Sequence, residues 1–382
     1  MSNTLRGKTA VAGIGYYGLG KTPEHTPLEL LSQAALRAVD DAGLQLSDID
    51  GVCAGTFYHF FPTLSVAEYL GIRPKWSSSD MAGGSSFMSH IQQAAMAIQT
   101  GLCNTVLVAY GSNARSSRDV NGLVETPTFE QPYEYMVPLA GYAMAAARYM
   151  HEYGATREHL ANVAVSARQW AQLNPDATMR APLSVADVLE SPMIAEPLSL
   201  ADCCLMSDGA GALILTSAER AKTLKQKPVY LLGAAGAHWH REISQMPDFT
   251  VTAATESSAR AYEMAGIKAA DIDVVQLYDA FTINTLLFLE DLGFCQKGEA
   301  GAFVADGHIA PNGSLPVNTN GGGLSCVHPG MYGTFCMIEA VTQLRGQGGE
   351  RQIEGAELAI AHGNGGTLSH QFTTVFGTDA TL

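Results

Sequence analysis

Short apolar runs bounded by turn residues recur along the chain, and segments of helical periodicity separate them. Runs of this length are typical of buried strands. The predicted strands cover residues 9–13, 51–54, 105–110, 212–216, 229–232 and 274–277. Regular alternation of such strands with helices predicts an α/β protein.

Helices are predicted where apolar residues recur at helical spacing between capping residues. The clearest begins at Thr26, with Pro27 in the first turn and Glu29 completing a capping box, and ends at Gly43. The other predicted helices cover residues 88–99, 139–153, 156–173, 282–292 and 331–344. The polar, turn-rich stretch 115–138 predicts a loop inserted over the functional face.

An internal repeat relates the two parts of the chain. Residues 258–273 match residues 35–50, with a glycine and two aspartates in register. Further along, residues 358–364 repeat the character of residues 106–113. Two matches in the same order indicate a duplicated α/β unit.

The length of 382 residues agrees with such a duplication, because it exceeds what one small core requires. We predict an N-terminal half at 1–225, which includes an inserted region at about 115–200. The C-terminal half is predicted at 226–382.

Composition then narrows the possible partners. Hydrophobic residues make up 47% of the chain and charged residues 15%, which is typical of a well-buried globular protein. The net charge of −15 argues against a nucleic-acid or anionic-membrane partner, because no basic stripe is available to neutralise phosphates.

Cysteine usage and the chain ends complete this picture. The seven cysteines are scattered and none forms a Cys-x-x-Cys pair, which argues against a disulfide framework or a metal site within the chain. Residues 1–8 lack the signature of a signal peptide, and no apolar run approaches the ~20 residues of a membrane span. We therefore expect a soluble, cytoplasmic protein.

Four motifs resemble the thiolase superfamily, in particular its sterol-carrier type. They are Asp202–Ala212, Tyr278–Phe281, Gly321–Gly330 and His362–Gly366. They occur in family order at family spacing, and the resemblance spans residues 8–376. It implies a duplicated thiolase-like fold with mixed sheets and helices in layers, a coenzyme A thioester as substrate, and a homodimer.

The departures from the thiolase pattern indicate different chemistry. Thiolases place a nucleophilic cysteine before the first buried helix, and that position falls on Gly84. Tyr278 replaces a motif histidine, and no cysteine lies near His362. Without the nucleophile and the second cysteine, the two-step acyl-enzyme route is lost.

These losses resemble the thiolase-like aldolases of steroid side-chain degradation. Those proteins cleave a β-hydroxyacyl-CoA by a retro-aldol reaction and work with a small zinc-ribbon/OB-fold companion. They tend to carry a tyrosine near the position of His328 and no Gly-His-Pro motif, whereas this chain keeps His328-Pro329-Gly330. The resemblance implies no tightly bound cofactor here, with zinc only in the companion.

The candidate catalytic residues are Tyr278, His328 and Tyr332. Tyr278 ends an apolar strand and is expected to move the β-hydroxyl proton, although an ordinary core tyrosine fits the composition. A phenol with a pKa of ~10 is a poor base, so a relay or an activating neighbour is required. His328 precedes a helix and is expected to hold the enolate oxygen, with a structural role as the alternative. Tyr332 either faces the same pocket or packs in the core.

Glycine-rich segments supply the candidate oxyanion and substrate-binding groups, because their backbone N–H groups lie beside predicted helix starts. These residues are Gly84, Ser85, Ser86, Asp279, Gly365 and Gly366. Tight turns for close packing are the alternative interpretation. No base partner for a nucleophilic Ser85 or Ser86 can be identified from the sequence.

The leading hypothesis is a retro-aldolase acting on a β-hydroxyacyl-CoA without an acyl-enzyme. Two alternatives stay open: a thiolase-type acyltransferase working by direct thiolysis, and a non-catalytic scaffold for an acyl-CoA-processing complex. We further expect a homodimer joined through the strand at 105–110, enlarged by the companion subunit.

Overall fold

A computed structural model describes residues 5–56, 58–117, 129–134 and 136–382. Its centre is a mixed β-sheet with helices packed on it. In chain order the strands are β1 (Thr9–Gly20), β2 (Gly51–Ala54), β3 (Trp76–Ser78), β4 (Thr105–Ser112), β5 (Met193–Ala195), β6 (Leu198–Ser199), β7 (Asp208–Ser217), β8 (Val229–His238), β9 (Val274–Leu277), β10 (Leu358–Gly365) and β11 (His370–Gly377). The helices are α1 (Pro27–Ala42), α2 (Pro62–Leu70), α3 (Ser86–Gln99), α4 (Ala114–Ser117), α5 (Leu139–Tyr153), α6 (Arg157–Gln172), α7 (Val185–Glu190), α8 (Ala218–Ala221), α9 (Ala254–Ala265), α10 (Thr282–Asp291), α11 (Ala300–Ala305) and α12 (Gly333–Leu344).

The strand order of the large sheet is β3-β2-β4-β7-β1-β8-β11-β10-β9, and β5 and β6 form a separate hairpin. β4 pairs parallel with β2 and antiparallel with β7, while β10 pairs parallel with β9 and antiparallel with β11. β7 then pairs antiparallel with β1, and β11 pairs antiparallel with β8. The order β2-β4-β7-β1 is thus repeated as β9-β10-β11-β8, which confirms the predicted duplicated α/β fold.

The repeated sequence segments form the same local structure in both halves. α1 and α9 end at Gly43 and Gly266, whose φ angles of 71° and 68° lie in the left-handed region that glycine adopts without strain. A short 3-10 turn follows each glycine and leads into β2 or β9. The predicted capping box at the start of α1 is also present, with Thr26 and Glu29 bonded to each other's backbone.

The helices form layers around the two strand sets. α1 packs on β1, β4 and β7, whereas α9 packs on β8 and β11. α3 and α12 contact strands of both halves, so they form the buried layer between the halves. β1 and β8 join the halves through the pairs Ala10–Tyr230 and Val11–Val229. The starts of α3 and α12 thereby meet the loops of the opposite half.

The predicted dimer contact through residues 105–110 is wrong. β4 is an interior strand with β2 on one side and β7 on the other, so both of its backbone edges are already paired. A fully buried apolar run fits an interior strand as well as a dimer interface. The strand with a single strand neighbour at this end of the sheet is β3.

Other elements differ in extent from the sequence predictions. α2, β3 and β11 were not predicted, and β8 continues to His238 instead of ending at residue 232. Residues 118–128 and 135 of the predicted inserted loop lie outside the described residues. The division of the chain at residues 225 and 226 stays a prediction. Across the described ranges, no helix has the length and apolar character that spanning a membrane requires.

Candidate active site

A cavity of about 780 Å³ opens where loops from both halves converge. It is bordered by the segment before α3, by the residues after β8, β9 and β10, and by the loop before α12. β8, β9 and β10 run in the same direction, so their carboxyl ends meet at one edge of the sheet. Ligand sites in α/β proteins lie at this kind of edge.

Tyr278 and His328 form a hydrogen-bonded pair in this cavity. Tyr278 follows β9, and its backbone N–H donates to the carbonyl of His362 at 3.0 Å. The Tyr278 Oη lies 3.1 Å from the His328 Nε2, with the two rings edge to face. Both side chains are almost fully buried and border the cavity. The structure therefore brings together two of the three predicted catalytic residues.

Burial keeps this pair neutral. It raises the pKa of the Tyr278 phenol well above 10 and lowers the pKa of His328 to about 4. An unprotonated His328 Nε2 can accept the hydrogen of the Tyr278 hydroxyl. The contact provides a path for a proton between the two side chains, and burial disfavours both the free phenolate and the charged imidazolium.

Asp279 anchors the loop that carries His328. Its carboxylate accepts from the backbone N–H groups of Gly323 at 2.6 Å and Leu324 at 3.3 Å. A Cβ on Gly322 would lie 2.0 Å from the Asp279 Oδ2, so only glycine fits there. Asp279 is fully buried, and burial raises its pKa to about 7. It does not border the cavity, so its position fits a support for the loop better than a contact to substrate.

Gly84 lies against the ring of Tyr278. A Cβ added to Gly84 would stand 1.9 Å from the Tyr278 Cε2 and 2.8 Å from its Oη. The tyrosine ring therefore occupies the space that a nucleophilic side chain at position 84 would need. Among the described residues, no hydrogen bond engages the N–H of Gly84, which lies just before α3 and borders the cavity.

Ser85 and Ser86 are both fully buried, and neither borders the cavity. The Ser86 Oγ accepts from the N–H of Ala82 at 2.8 Å, which closes the turn before α3. The Ser85 Oγ lies 2.7 Å from the Nδ1 of His370, a residue that does border the cavity. The structure thus shows a hydrogen-bond partner of Ser85 that the sequence did not reveal.

Tyr332 packs behind the Tyr278–His328 pair. Its ring stacks beside His328, with ring centroids 6.2 Å apart, and lies edge to face with Tyr278. It is fully buried, and its hydroxyl donates to the Asn320 Oδ1 at 2.9 Å. Of the two interpretations offered by the sequence, this position favours core packing.

Gly365 and Gly366 border the cavity at the end of β10. A Cβ on Gly365 would lie 1.6 Å from the carbonyl oxygen of Ala82, so the two loops approach backbone to backbone. The carbonyl of Gly366 accepts from the Tyr142 hydroxyl at 3.0 Å. That hydroxyl in turn accepts from the Asn364 Nδ2 at 2.8 Å.

Sequence reasoning did not select several cavity residues with polar or ionisable groups, which include His370, Tyr142, Asn364, Cys204, Glu130, His238, His240, Arg241 and Glu242. Asn364 and Cys204 lie inside motifs that were singled out, so those motifs could have indicated them. Tyr142 lies on α5 and His370 begins β11, and no local pattern marks either residue. The cavity lining also includes the apolar side chains of Met81, Val137, Ile243 and Phe281.

Comparisons with known proteins agree with this fold and site. Residues 235–378 match the family model described as thiolase C-terminal domain-like. The chain is 36% identical over 369 residues to an acetyl-CoA acetyltransferase of Methanothermobacter thermautotrophicus, covering 94% of this chain and 96% of that protein. It is 37% identical over 366 residues to the 17-hydroxy-3-oxo-4-pregnene-20-carboxyl-CoA lyase of Mycobacterium tuberculosis, covering 90% and 92%.

A solved structure extends the likeness to the whole fold. The Ltp2-ChsH2(DUF35) aldolase matches with a TM-score of 0.88 and 34% identity, covering 98% of this chain and 99% of that chain. Full-length matches at this identity define the family, and the chain belongs to the thiolase superfamily. The predicted membership is thereby confirmed. Because the relatives include both a lyase and an acetyltransferase, the geometry of the site has to distinguish the two activities.

Proposed function

We propose that this protein is a thiolase-like retro-aldolase, which cleaves the Cα–Cβ bond of a β-hydroxyacyl-CoA without forming an acyl-enzyme. The observation that carries the proposal is the place of the Tyr278 ring. It fills the space beside Gly84 where a nucleophile would stand, and it presents a hydroxyl bonded to His328. A site that replaces a nucleophile by an acid/base pair suits aldol chemistry better than acyl transfer.

The first step moves the proton of the substrate's β-hydroxyl to the Tyr278 Oη while the tyrosine passes its own hydrogen to the His328 Nε2. The 3.1 Å contact allows this relay. Burial lowers the pKa of His328, so Nε2 is unprotonated at the start of the step and gives the proton up again once the β-carbonyl has formed. As the β-carbonyl forms, the Cα–Cβ bond breaks and its electrons move onto the thioester as an enolate. Because Nε2 is engaged by Tyr278, His328 acts here as the proton acceptor instead of the enolate donor first expected.

The enolate oxygen needs hydrogen-bond donors. The backbone N–H of Gly84 lies at the N-terminus of α3, beside Tyr278, and engages no acceptor among the described residues. A helix N-terminus stabilises developing negative charge. We assign Gly84 this function, and place the thioester carbonyl between segment 83–84 and the Tyr278–His328 pair.

The apolar lining residues and the volume of about 780 Å³ support a bulky apolar acyl group. The lyase of Mycobacterium tuberculosis is named for a steroid carboxyl-CoA substrate, and the solved structure is named an aldolase. These names support a polycyclic or similarly large substrate for this chain too.

Product analysis tests the proposal. The purified protein is incubated with β-hydroxyacyl-CoA substrates that carry large apolar acyl groups, with and without added free coenzyme A. A retro-aldolase yields one aldehyde or ketone and one CoA thioester and does not require free coenzyme A. Formation of two CoA thioesters that depends on added coenzyme A would establish the acyltransferase alternative, which the named acetyltransferase relative supports.

The proposal includes a small companion subunit of the zinc-ribbon/OB-fold type. The two-part name Ltp2-ChsH2(DUF35) of the matching structure supports it. Zinc would belong to that companion, and the described ranges of this chain hold no cluster suited to a metal ion. We also propose a homodimer formed at the edge of β3, which has a single strand neighbour in the sheet. Light scattering tests both assemblies, and the cytoplasmic location stays a prediction.

A further inference from the structure

Retro-aldol cleavage requires a second proton transfer that the Tyr278–His328 pair does not supply. The pair takes the proton of the β-hydroxyl, but the enolate that remains must gain a proton at Cα to become the product thioester. Tyr278 contacts Gly84, so the pair occupies one side of segment 83–85. The group that serves Cα has to border the same cavity and have a nitrogen, oxygen or sulfur free for proton transfer.

His370 meets these requirements. It begins β11, is half-buried and borders the cavity. Its Nδ1 lies 2.7 Å from the Ser85 Oγ, one residue beyond the glycine that contacts Tyr278. Among the described residues, the hydrogen bond found for the His370 ring engages Nδ1, and none engages the second nitrogen, Nε2. A ligand in the cavity can therefore use Nε2.

Ser85 holds this histidine in one protonation pattern. The Ser85 Oγ also lies 3.4 Å from the carbonyl oxygen of Ala82, to which it can donate its hydrogen. It is then an acceptor for a hydrogen on the His370 Nδ1, which leaves a lone pair on Nε2. Gly365 makes this approach possible, because a Cβ there would stand 2.5 Å from the Ser85 Oγ.

The other polar groups of the cavity fit this task less well. The Tyr142 hydroxyl already donates to Gly366 and accepts from Asn364. Cys204 is a thiol whose pKa burial raises above its usual range. The His328 Nε2 is engaged by Tyr278. His238 and His240 also border the cavity, and the His240 Nδ1 has no hydrogen-bond partner among the described residues. His370 differs from them by its 2.7 Å contact to Ser85, one residue from the glycine that contacts Tyr278.

We propose that His370 is the acid/base residue that exchanges a proton with Cα, and that Ser85 is its positioning residue. This inference rests on the proposed retro-aldol function. In the cleavage direction, the His370 Nε2 first takes up a proton from solvent and then gives it to Cα: the N–H bond breaks, a C–H bond forms, and the enolate returns to a thioester. The proton that His328 received from the β-hydroxyl returns to solvent, so the cycle balances. In the reverse direction, neutral Nε2 removes a proton from Cα, and the C–H electrons move onto the thioester oxygen.

The reverse step can be measured without any C–C bond cleavage. Acetyl-CoA or propionyl-CoA is incubated in D₂O with the purified protein, together with its companion subunit where one co-purifies. Deuterium incorporation at Cα is followed by mass spectrometry. We expect the wild-type protein to catalyse exchange and His370→Asn to lose about 10²–10⁴-fold of the rate. Asparagine keeps a polar atom near the place of Nδ1, so the contact to Ser85 and the fold can persist.

Two further variants separate this inference from the proposed function. Tyr278→Phe should lose cleavage yet continue to exchange deuterium, because exchange involves no β-hydroxyl. Ser85→Ala should slow exchange about tenfold while the affinity for acetyl-CoA is unchanged, which a merely structural serine would not cause. If His370→Asn does not fold, Ser85→Ala still tests the role of His370, because an unchanged exchange rate in this variant overturns the proposal.

Three further results would overturn the assignment of His370. They are wild-type protein that exchanges neither thioester, a folded His370→Asn variant that exchanges at the wild-type rate, and equal loss of exchange in Tyr278→Phe. If exchange depends on His370 but no β-hydroxyacyl-CoA is cleaved, the retro-aldolase proposal fails and the assignment of the Cα acid/base stands.

Discussion

Substituting Gly84 by alanine should damage both the stability and the activity of this protein. The added Cβ would lie 1.9 Å from the Tyr278 Cε2, whereas ordinary carbon contacts are ~3.5 Å or longer. The ring must therefore retreat by about 1.5 Å, which pulls its hydroxyl out of the 3.1 Å contact with His328. Overpacking of this kind costs about 1–3 kcal/mol of unfolding free energy.

For a chain of 382 residues, that cost corresponds to a fall in Tm of about 1–4 °C, taking an unfolding entropy of ~2.1 cal/mol/K per residue. Turnover should fall further, by about 10²–10⁴-fold, because the proton relay is interrupted. Calorimetry gives Tm, and steady-state kinetics with a β-hydroxyacyl-CoA gives kcat. Gly55→Ala is the matched control, since the atom nearest to its added Cβ would be 3.3 Å away and its φ is not positive.

A double-mutant cycle isolates the cause. In a Tyr278→Ala background the space beside residue 84 is empty, so adding Gly84→Ala should cost close to nothing in stability. A coupling of about 1 kcal/mol or more between the two sites is expected. The reasoning is refuted if Gly84→Ala keeps the wild-type Tm and kcat, or if it costs the same with and without the tyrosine ring.

Three further outcomes are expected. Intact-mass spectrometry during turnover should detect no acyl adduct. An adduct on Ser85, Ser86 or any cysteine would instead support the acyltransferase hypothesis. Asp279→Asn should lower the free energy of unfolding by about 1–3 kcal/mol and reduce turnover, because the single amide oxygen of asparagine cannot replace both carboxylate oxygens that accept hydrogen bonds from the loop. An unchanged free energy of unfolding would contradict the anchoring function. Burial lowers the pKa of His362 to about 3 and that of His328 to about 4. Below pH ~6.5 the unfolded chain therefore binds more protons than the folded protein, and stability should fall as the pH drops towards these values. His362→Gln should make that slope shallower in acid titrations of unfolding, and an unchanged slope would show that this histidine does not contribute.

Elements defined by local chemistry could be predicted from the sequence. The capping residues at Thr26 and Glu29 located the start of α1, and the repeated glycine at 43 and 266 located two helix ends. The same repeat indicated the duplicated fold, because it carried helix, turn and strand in the same order. Tyr278 and His328 could also be selected as candidates, since both lie in recognisable motifs at the ends of elements, but the hydrogen bond between them was not predicted.

Features that depend on distant contacts could not be predicted. Ser85 and His370 are 285 residues apart, and nothing in the sequence near either residue indicates that they meet. The same limit explains the wrong dimer strand, because β4 is apolar whether its neighbours belong to the same chain or to another. The ring of Tyr278 against Gly84 likewise emerges only when the loop after β9 and the start of α3 are brought together.

The measurement that decides the account is the turnover of Tyr278→Phe on a β-hydroxyacyl-CoA, in complex with any companion subunit that co-purifies. Phenylalanine keeps the ring beside Gly84 and removes only the hydroxyl that contacts His328. We predict a folded protein whose kcat is lower by about 10²–10⁴-fold while substrate affinity changes little. A folded Tyr278→Phe variant that retains more than about a tenth of wild-type kcat would contradict the proton relay and the aldolase chemistry built on it.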